Sequence, residues 1–162
     1  MQGIFGIVSQ NKLEKRISVF NSEEKKNSLF GKLESEKIFF ERNVIDKFRD
    51  DKCFFSDQKL MIMLDGIILN KFALFEKYNV NDMFVLLDLK FQRAIVFADH
   101  LGNRPLYYCQ LGDKLVFSSS VKKIKEYFDN YTDITLKINL SGAYSMVTYA
   151  YMYDNQTLCE HI

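Results

Sequence analysis

The sequence has few of the residues that build metal sites and disulfide frameworks. Of its 162 residues, three are cysteines and two are histidines. Cys53, Cys109 and Cys159 are odd in number, widely spaced and part of no Cys-x-x-Cys unit, which argues against disulfides and against zinc. The sequence has only two histidines, His100 and His161, so it offers few ligands for a histidine-based metal site. We therefore expect no metal site, and we expect the cysteines to lie in the apolar core.

Long apolar runs and an excess of one charge are also missing. The longest apolar stretches, such as residues 94–98, have the length of a strand, and residues 1–6 lack the basic and apolar segments of a signal peptide. The net charge is +1, so nothing points to nucleic acid, and the basic cluster of Lys122, Lys123 and Lys125 predicts a solvated helix face. We expect a cytoplasmic protein with neither a nucleic acid nor a membrane partner.

What the sequence does have is apolar and aromatic residues: 48% are hydrophobic, with 15 Phe and 9 Tyr. A chain of this length and composition forms one domain with a sizeable core. Residues 3–8 predict a strand buried on both faces. Residues 9–35 are polar and predict a surface loop or an irregular helical connection. Residues 38–40 and 53–55 are two short strand candidates separated by a charged stretch.

The second half of the chain shows clearer periodicity. Alternating apolar strands joined by polar turns, followed by helical spacing, predict an α+β layered domain. We expect a strand over 60–64 that turns at Asp65 and Gly66 and resumes over 67–69, followed by a helix over 72–78. Two strand pairs are expected next, 83–89 with 94–98 and 106–110 with 115–118. Two further helices are expected over 121–128 and 140–153, the last with Ser141 as its N-cap.

Three motifs carry more information than periodicity. They are MQGIFGIV at residues 1–8, LDGIILN at 64–70, and ADHLGNRPLYY at 98–108, which continues as GDKLVFSSSVK at 112–122. In this order they resemble the Met-Cys-Gly-Ile-Phe-Gly, Asn-Gly-Glu-Ile-Tyr-Asn and Arg-Asp-x-x-Gly-x-x-Pro-Leu-Tyr-Tyr segments of the class II glutamine amidotransferase domain of asparagine synthetases. The resemblance covers residues 1–8 and 60–125.

The resemblance implies a fold and a domain organisation. Members of this family have a four-layer αββα sandwich of the N-terminal-nucleophile (glutamine amidotransferase type 2) kind. We therefore expect residues 1–137 to form the amidotransferase-like domain. Residues 138–162 resemble the helical stretch that leads into the family's synthetase domain, so we expect them to be a tail leading toward a missing C-terminal synthetase domain.

The same resemblance implies that the glutaminase chemistry is lost. In active members an N-terminal cysteine thiolate attacks the glutamine amide, and an Asn-Gly pair stabilises the oxyanion. Gln2 stands at the nucleophile position, and a carboxamide is not a usable nucleophile. Asp65 replaces the oxyanion-hole asparagine, and a carboxylate cannot donate a hydrogen bond to an oxyanion. Only Gly66 is retained, and the segments that bind the substrate's carboxylate and amino groups are absent from the sequence.

These replacements predict a catalytically dead domain that serves as a scaffold in an asparagine-synthetase-like, ATP-dependent amide-forming protein. Degenerate domains of this kind resemble those of β-lactam synthetases and lasso-peptide cyclases. No Ser-Gly-Gly-x-Asp loop occurs, so ATP and Mg are expected only in a C-terminal synthetase domain. The expected partner is that domain or another protein, with a homodimer left open.

The alternative prediction is a stand-alone, non-catalytic binding or assembly module. Its candidate interface is an aromatic stripe near the end of the sequence, which in the first hypothesis contacts the synthetase domain instead. The stripe consists of Tyr144, Tyr149, Tyr151 and Tyr153.

Overall fold

The computed structural model describes residues 3–13, 17–23, 28–45, 54–56, 60–65, 83–88, 93–98, 105–152 and 156–162. These residues form nine strands and two helices. The strands are β1 (Gly3–Ser9), β2 (Ser28–Glu34), β3 (Ile38–Ile45), β4 (Phe54–Ser56), β5 (Leu60–Asp65), β6 (Met83–Asp88), β7 (Arg93–Phe97), β8 (Tyr107–Leu111) and β9 (Lys114–Ser118), and the helices are α1 (Val121–Tyr131) and α2 (Leu140–Tyr149).

The strands form two antiparallel sheets. The first has the order β2-β3-β1-β9-β8, and the second has the order β4-β5-β6-β7. The strand β1 therefore lies at the centre of the first sheet, with β3 on one side and β9 on the other. A central strand is covered on both faces, which explains why residues 3–8 are almost entirely apolar. The α+β fold class and the buried first strand are confirmed.

The side chains of β1 alternate between two apolar clusters. Phe5 and Ile7 pack in one cluster with Ile124 and Phe128 of α1. Ile4 packs in the other cluster, on the opposite face, together with partly buried residues of β7. The described elements therefore form three layers, namely α1, the first sheet and the second sheet.

Several predicted elements agree with the structure. The strand pairs β6–β7 and β8–β9 are antiparallel hairpin partners, and β5 begins at Leu60 as expected. Gly112 turns the β8–β9 hairpin with a φ of 57°, a conformation that glycine adopts without strain. The strand predicted over 67–69 and the helix predicted over 72–78 lie outside the described residues.

The prediction that residues 9–35 form a loop or helical connection is wrong at its C-terminal end. The strand β2 occupies Ser28–Glu34 and pairs with β3 along its whole length. This strand lies at the edge of the sheet, and Lys32 and Glu34 are exposed while Gly31 and Leu33 are partly buried. An edge strand tolerates this many polar residues because one side of it faces water.

The charged stretch expected to follow residues 38–40 is instead the continuation of β3. Glu41, Arg42 and Asn43 lie within this strand and are 0%, 5% and 1% exposed. The carboxylate of Glu41 accepts hydrogen bonds from the backbone N–H groups of Val19 and Phe20 and from the Ser18 hydroxyl. Buried polar groups are tolerated when they are hydrogen-bonded in this way.

The basic cluster of α1 also differs from the prediction. Lys122 and Lys125 are exposed, but Lys123 is 2% exposed. The Lys123 ammonium donates to the backbone oxygen of Val19 and to Glu126, both at 2.8 Å, and sits 4.7 Å from the centre of the Phe20 ring. The solvated-face prediction is therefore wrong for Lys123, because segment 17–20 covers this side of the helix.

The second helix is shorter than predicted and has a different cap. Helix α2 ends at Tyr149, where Ala150 takes a left-handed conformation with a φ of 61°, instead of continuing to residue 153. Its N-cap is Asn139, whose side-chain oxygen accepts from the Gly142 N–H at 3.1 Å, so the prediction of Ser141 is wrong. The Asn139 side chain also donates to the backbone oxygen of Thr157, which fastens the helix start to the C-terminal segment.

Candidate functional site

The candidate site is the start of β1, where the motif resemblance places the catalytic nucleophile. Gln2 lies outside the described residues and directly precedes Gly3, the first residue of the strand. Gly3 has a φ of 145°, a conformation that residues with a Cβ rarely adopt. The residue after Gln2 must therefore be glycine for the strand to begin in this way.

Ser118, the last residue of β9, and Ser119, which follows it, form hydrogen bonds with the start of β1. The Ile4 N–H donates to the Ser119 hydroxyl at 3.0 Å, and the Ile4 carbonyl accepts from the Ser118 hydroxyl at 2.7 Å and from the Ser119 N–H at 3.0 Å. Ser118 is fully buried and also accepts from the Ser120 N–H, just ahead of α1. Both hydroxyls are engaged with backbone groups, so their role here is to fix the strand.

The end of β3 lies on the other side of the site. Asn43 pairs in register with Gly3, and Arg42 pairs with Ile4. Both side chains are buried. Sequence analysis missed them as neighbours of the nucleophile position, because they belong to the stretch expected to separate two strands. The apolar residues on both sides of Glu41, Arg42 and Asn43 were the feature of the sequence that could have indicated a continuous strand here.

The position that the motif resemblance assigns to the oxyanion hole lies at the end of β5. Asp65 is the last residue of this strand, and its backbone pairs with Met83 of β6. Gly66 lies outside the described residues. The strand β5 contacts β1 and β3 across the two sheets. The structure thus brings into contact the strands next to the two positions that the motif resemblance assigns to the nucleophile and the oxyanion hole, while Gln2 and Gly66 themselves are not described.

The sequence contains three cysteines, whose thiols are the strongest nucleophiles among its side chains. Cys109 is 2% exposed and lies in the cluster beneath α1, where burial raises the pKa of its thiol to about 11. A thiol in such surroundings is protonated at neutral pH and unreactive. Cys159 is partly exposed, and its backbone pairs with Ile138. The prediction of a buried core cysteine is confirmed for Cys109 and is wrong for Cys159; Cys53 lies outside the described residues.

Two grooves lie at the opposite end of β1 from Gly3. One has a volume of about 510 Å³ and is lined by residues that include Lys114, Tyr131 and His161. The other has a volume of about 450 Å³ and is lined by residues that include Ser9 and Asp113. Because Ser9 pairs with Lys114 at the far end of the strand, neither groove opens at the nucleophile position.

In the described part of the chain, no three His, Cys, Asp or Glu side chains come together in a group that could hold a metal ion. None of the helices formed by described residues has the length and apolar character needed to cross a membrane.

Two antiparallel sheets in contact, with a helix packed on the first of them, define an α+β domain of the layered two-sheet class. The chain matches the family model of the glutamine amidotransferase domain over residues 74–162, which is more than half of its length. The chain therefore belongs to the glutamine amidotransferase domain family. The matched region contains β6 to β9 and both helices. No curated protein matches the chain.

Proposed function

We propose that this protein is a glutamine amidotransferase domain that has lost glutaminase activity and acts as a structural scaffold in an asparagine-synthetase-like, ATP-dependent amide-forming protein. The main support for the proposal is the identity of the residue that precedes β1. The strand start is fixed by Gly3 and by two serines, but the preceding residue is Gln2, whose carboxamide has no thiol to attack a substrate.

The oxyanion-hole position supports the same proposal. A tetrahedral intermediate carries negative charge on oxygen and needs hydrogen-bond donors close to it. The motif resemblance aligns Asp65, the last residue of β5, with the family's asparagine. An ionised carboxylate only accepts hydrogen bonds and repels an oxyanion, so this position opposes the reaction even if a nucleophile is restored.

The relation to asparagine synthetases rests on the motifs at residues 1–8, 64–70 and 98–122. We propose on this basis that the fold is the four-layer αββα kind, with the fourth layer outside the second sheet. The domain would comprise residues 1–137, and residues 138–162 would lead into a synthetase domain. ATP and Mg would bind to that domain, which is the partner that the proposal implies.

The experiment is a measurement of glutamate release from glutamine by the unaltered protein, by Gln2→Cys and by Gln2→Ala. The last two variants both present a small second residue, so the initiator methionine is removed from both, and they differ only in the thiol. We expect no release above the protein-free rate from the unaltered protein or from Gln2→Ala. We also expect none from Gln2→Cys, because the oxyanion hole and the substrate-binding segments are missing.

The outcomes separate the parts of the proposal. Release by the unaltered protein contradicts the loss of glutaminase activity. Release by Gln2→Cys alone means that the nucleophile was the only catalytic part missing, and it contradicts the proposed loss of the oxyanion hole. The relation to amide-forming ligases is tested separately, by looking for a Ser-Gly-Gly-x-Asp motif in the encoded sequence after residue 162 and for ATP–pyrophosphate exchange by the protein that contains it.

A second candidate function, a non-catalytic binding or assembly module, is favoured by one observation. Tyr144, Tyr149 and Tyr151 are 69%, 48% and 54% exposed and lie within eight residues of one another in the sequence. Such surfaces mark protein interaction sites. Tyr153, the fourth tyrosine of the predicted stripe, lies outside the described residues. Absence of a synthetase motif after residue 162 would favour this second function over the first.

A further inference from the structure

The chain segments before and after α2 pair with each other. Ile138 and Cys159 form an antiparallel bridge. Two backbone hydrogen bonds of 2.9 Å flank this bridge, from the Asn139 N–H to the Leu158 carbonyl and from the Glu160 N–H to the Lys137 carbonyl. The helix α2 is therefore closed at its base by a short ladder. We call residues 136–139 and 156–162, which form and continue this ladder, the clasp.

Thr157 makes most of the remaining hydrogen bonds of the clasp. Its hydroxyl accepts from the Cys159 N–H at 3.0 Å and lies 3.0 Å from the backbone oxygens of Cys159 and Ile162, to which it can donate. The backbone oxygen of Thr157 accepts from the side-chain amide of Asn139 at 2.9 Å. Asn139 is also the N-cap of α2. Thr157 thus connects the start of the helix to the segment that returns from it.

The helix packs on the clasp without an intervening side chain. Gly142 is the buried residue of α2. A Cβ at this position would lie 2.7 Å from the backbone oxygen of Thr157 and 3.1 Å from Nδ2 of Asn139. Because these two atoms are bonded to each other, neither can move away from the helix without breaking that bond. The contact therefore fixes the position of α2 relative to the clasp.

Both ends of the clasp are attached to the first sheet and α1. Leu136 and Ile162 are partly buried and pack against the apolar cluster that contains Ile124 and Phe128 of α1. The family match runs through residue 162 as well, so the clasp belongs to the matched region. A flexible linker has few contacts at its ends. The clasp instead has apolar contacts at both ends and a ladder between them.

We propose that the clasp holds α2 as a rigid extension of the domain and that Thr157 is the residue that keeps it closed. The ladder, the Thr157 hydroxyl and the Gly142 contact share the same few residues, so the clasp opens as one cooperative unit. Under the proposed function, residues 138–162 lead into a synthetase domain, and a closed clasp fixes the direction in which that domain is attached. Only this consequence rests on the proposed function.

Amide hydrogen exchange of the full chain, resolved by residue with NMR, tests the proposal. The reporters are the N–H groups of Asn139 and Glu160, which bond to backbone carbonyls and not to the Thr157 hydroxyl. In the unaltered protein we expect both to exchange at least about 100-fold more slowly than in an unstructured chain, because they open only with the clasp.

Thr157→Val keeps the branched shape of the side chain and removes its hydroxyl. We expect this variant to raise the exchange rates of both reporters at least about tenfold, because the unit that must open has lost a hydrogen-bonded hydroxyl. The matched control is Thr148→Val, the same change at an exposed residue of α2. We expect the control to leave both exchange rates within about twofold of the unaltered protein.

Gly142→Ala opens the clasp from the side of the helix and is expected to accelerate the same two reporters, whereas Ser141→Ala, at the exposed neighbouring residue, is not. The amides of β1 are measured in every variant and are expected to stay as protected as in the unaltered protein. The proposal is overturned if the reporters of the unaltered protein exchange like an unstructured chain. It is also overturned if Thr157→Val accelerates only the Cys159 amide, or if the β1 amides accelerate as much as the reporters in both Thr157→Val and Gly142→Ala.

Discussion

Replacing Gly6 with alanine is expected to destabilise the protein by about 3 kcal/mol, at the upper end of the usual effect of overpacking a core. Gly6 is in the centre of β1 and pairs in register with Phe40 on one side and Phe117 on the other. A Cβ at this position would lie 2.6 Å from Cε2 of Phe117 and 2.9 Å from Cδ2 of Phe40, and closer still to Cζ of Phe117. Both rings are essentially fully buried, so neither can move aside without disturbing the contact between the sheets.

Thermal unfolding followed by circular dichroism measures this effect. For a chain of this size, the loss corresponds to a decrease in Tm of roughly 6–12 °C. The control is the same change in a Phe117→Leu background, where the smaller side chain leaves room for the added methyl group. We expect the two changes to be non-additive by about 1–3 kcal/mol. An unchanged Tm in Gly6→Ala would contradict the packing of the two rings over β1.

Replacing Lys123 with methionine is expected to lower the free energy of unfolding by about 2 kcal/mol, the effect of removing a buried hydrogen bond from a charged group. Methionine keeps much of the apolar length of the side chain but removes the ammonium group. The backbone oxygen of Val19 then loses its 2.8 Å hydrogen bond inside the protein, and Glu126 loses its closest cation. Because segment 17–20 is held by Lys123 from one side and by Glu41 from the other, we expect this segment to loosen first.

The matched control is Lys122→Met, one residue earlier on the same helix. The side chain of Lys122 is 64% exposed, and its ammonium is 4.0 Å from Glu126. Exposed pairs of this kind contribute little, so we expect a change of less than about 0.5 kcal/mol. Urea unfolding of both variants makes the comparison. If both variants unfold at the same urea concentration as the unaltered protein, Lys123 is not part of a buried network.

Much of the sheet architecture could be predicted from the sequence, because apolar alternation is a local property. Residues 3–8 lie in a central strand, and β6–β7 and β8–β9 form hairpins, as the spacing of apolar residues and polar turns indicates. The two sheets could be inferred only from the resemblance. No periodicity states which strands pair across a long connection, such as β1 with β9.

The errors come from polar residues whose partners are distant in sequence. Glu41 belongs to a strand because segment 17–20 supplies its hydrogen bonds, and Lys123 is buried because the same segment covers it. Asn139 caps α2 in place of Ser141 because its side chain can also bond to Thr157. The contacts with segment 17–20 and with Thr157 join residues at least 18 positions apart, so local sequence patterns could not predict them, whereas the capping bond from Asn139 to Gly142 is local.

For the candidate site, the motif resemblance assigns a position to the nucleophile and to the oxyanion hole, and the structure shows where the neighbouring strands lie. Gln2 precedes β1, and Asp65 ends β5, as the motifs indicate. The roles of Ser118, Ser119 and Asn43 at the start of β1 could not be predicted, because they depend on how β9 and β3 pair with it. The family match begins at residue 74, after all of the nucleophile and oxyanion-hole positions, so these assignments rest on the motifs.

The central claim is that this domain has no nucleophile for glutamine, and covalent labelling tests it most directly. The unaltered protein is incubated with a glutamine analogue that carries an electrophilic diazoketone, with and without excess glutamine, and its intact mass is measured. We predict no adduct that glutamine prevents, because Gln2 has no thiol and the thiol of Cys109 is buried with a raised pKa. A single adduct that glutamine prevents would contradict the claim, and peptide mapping would then identify the residue that replaced the catalytic cysteine.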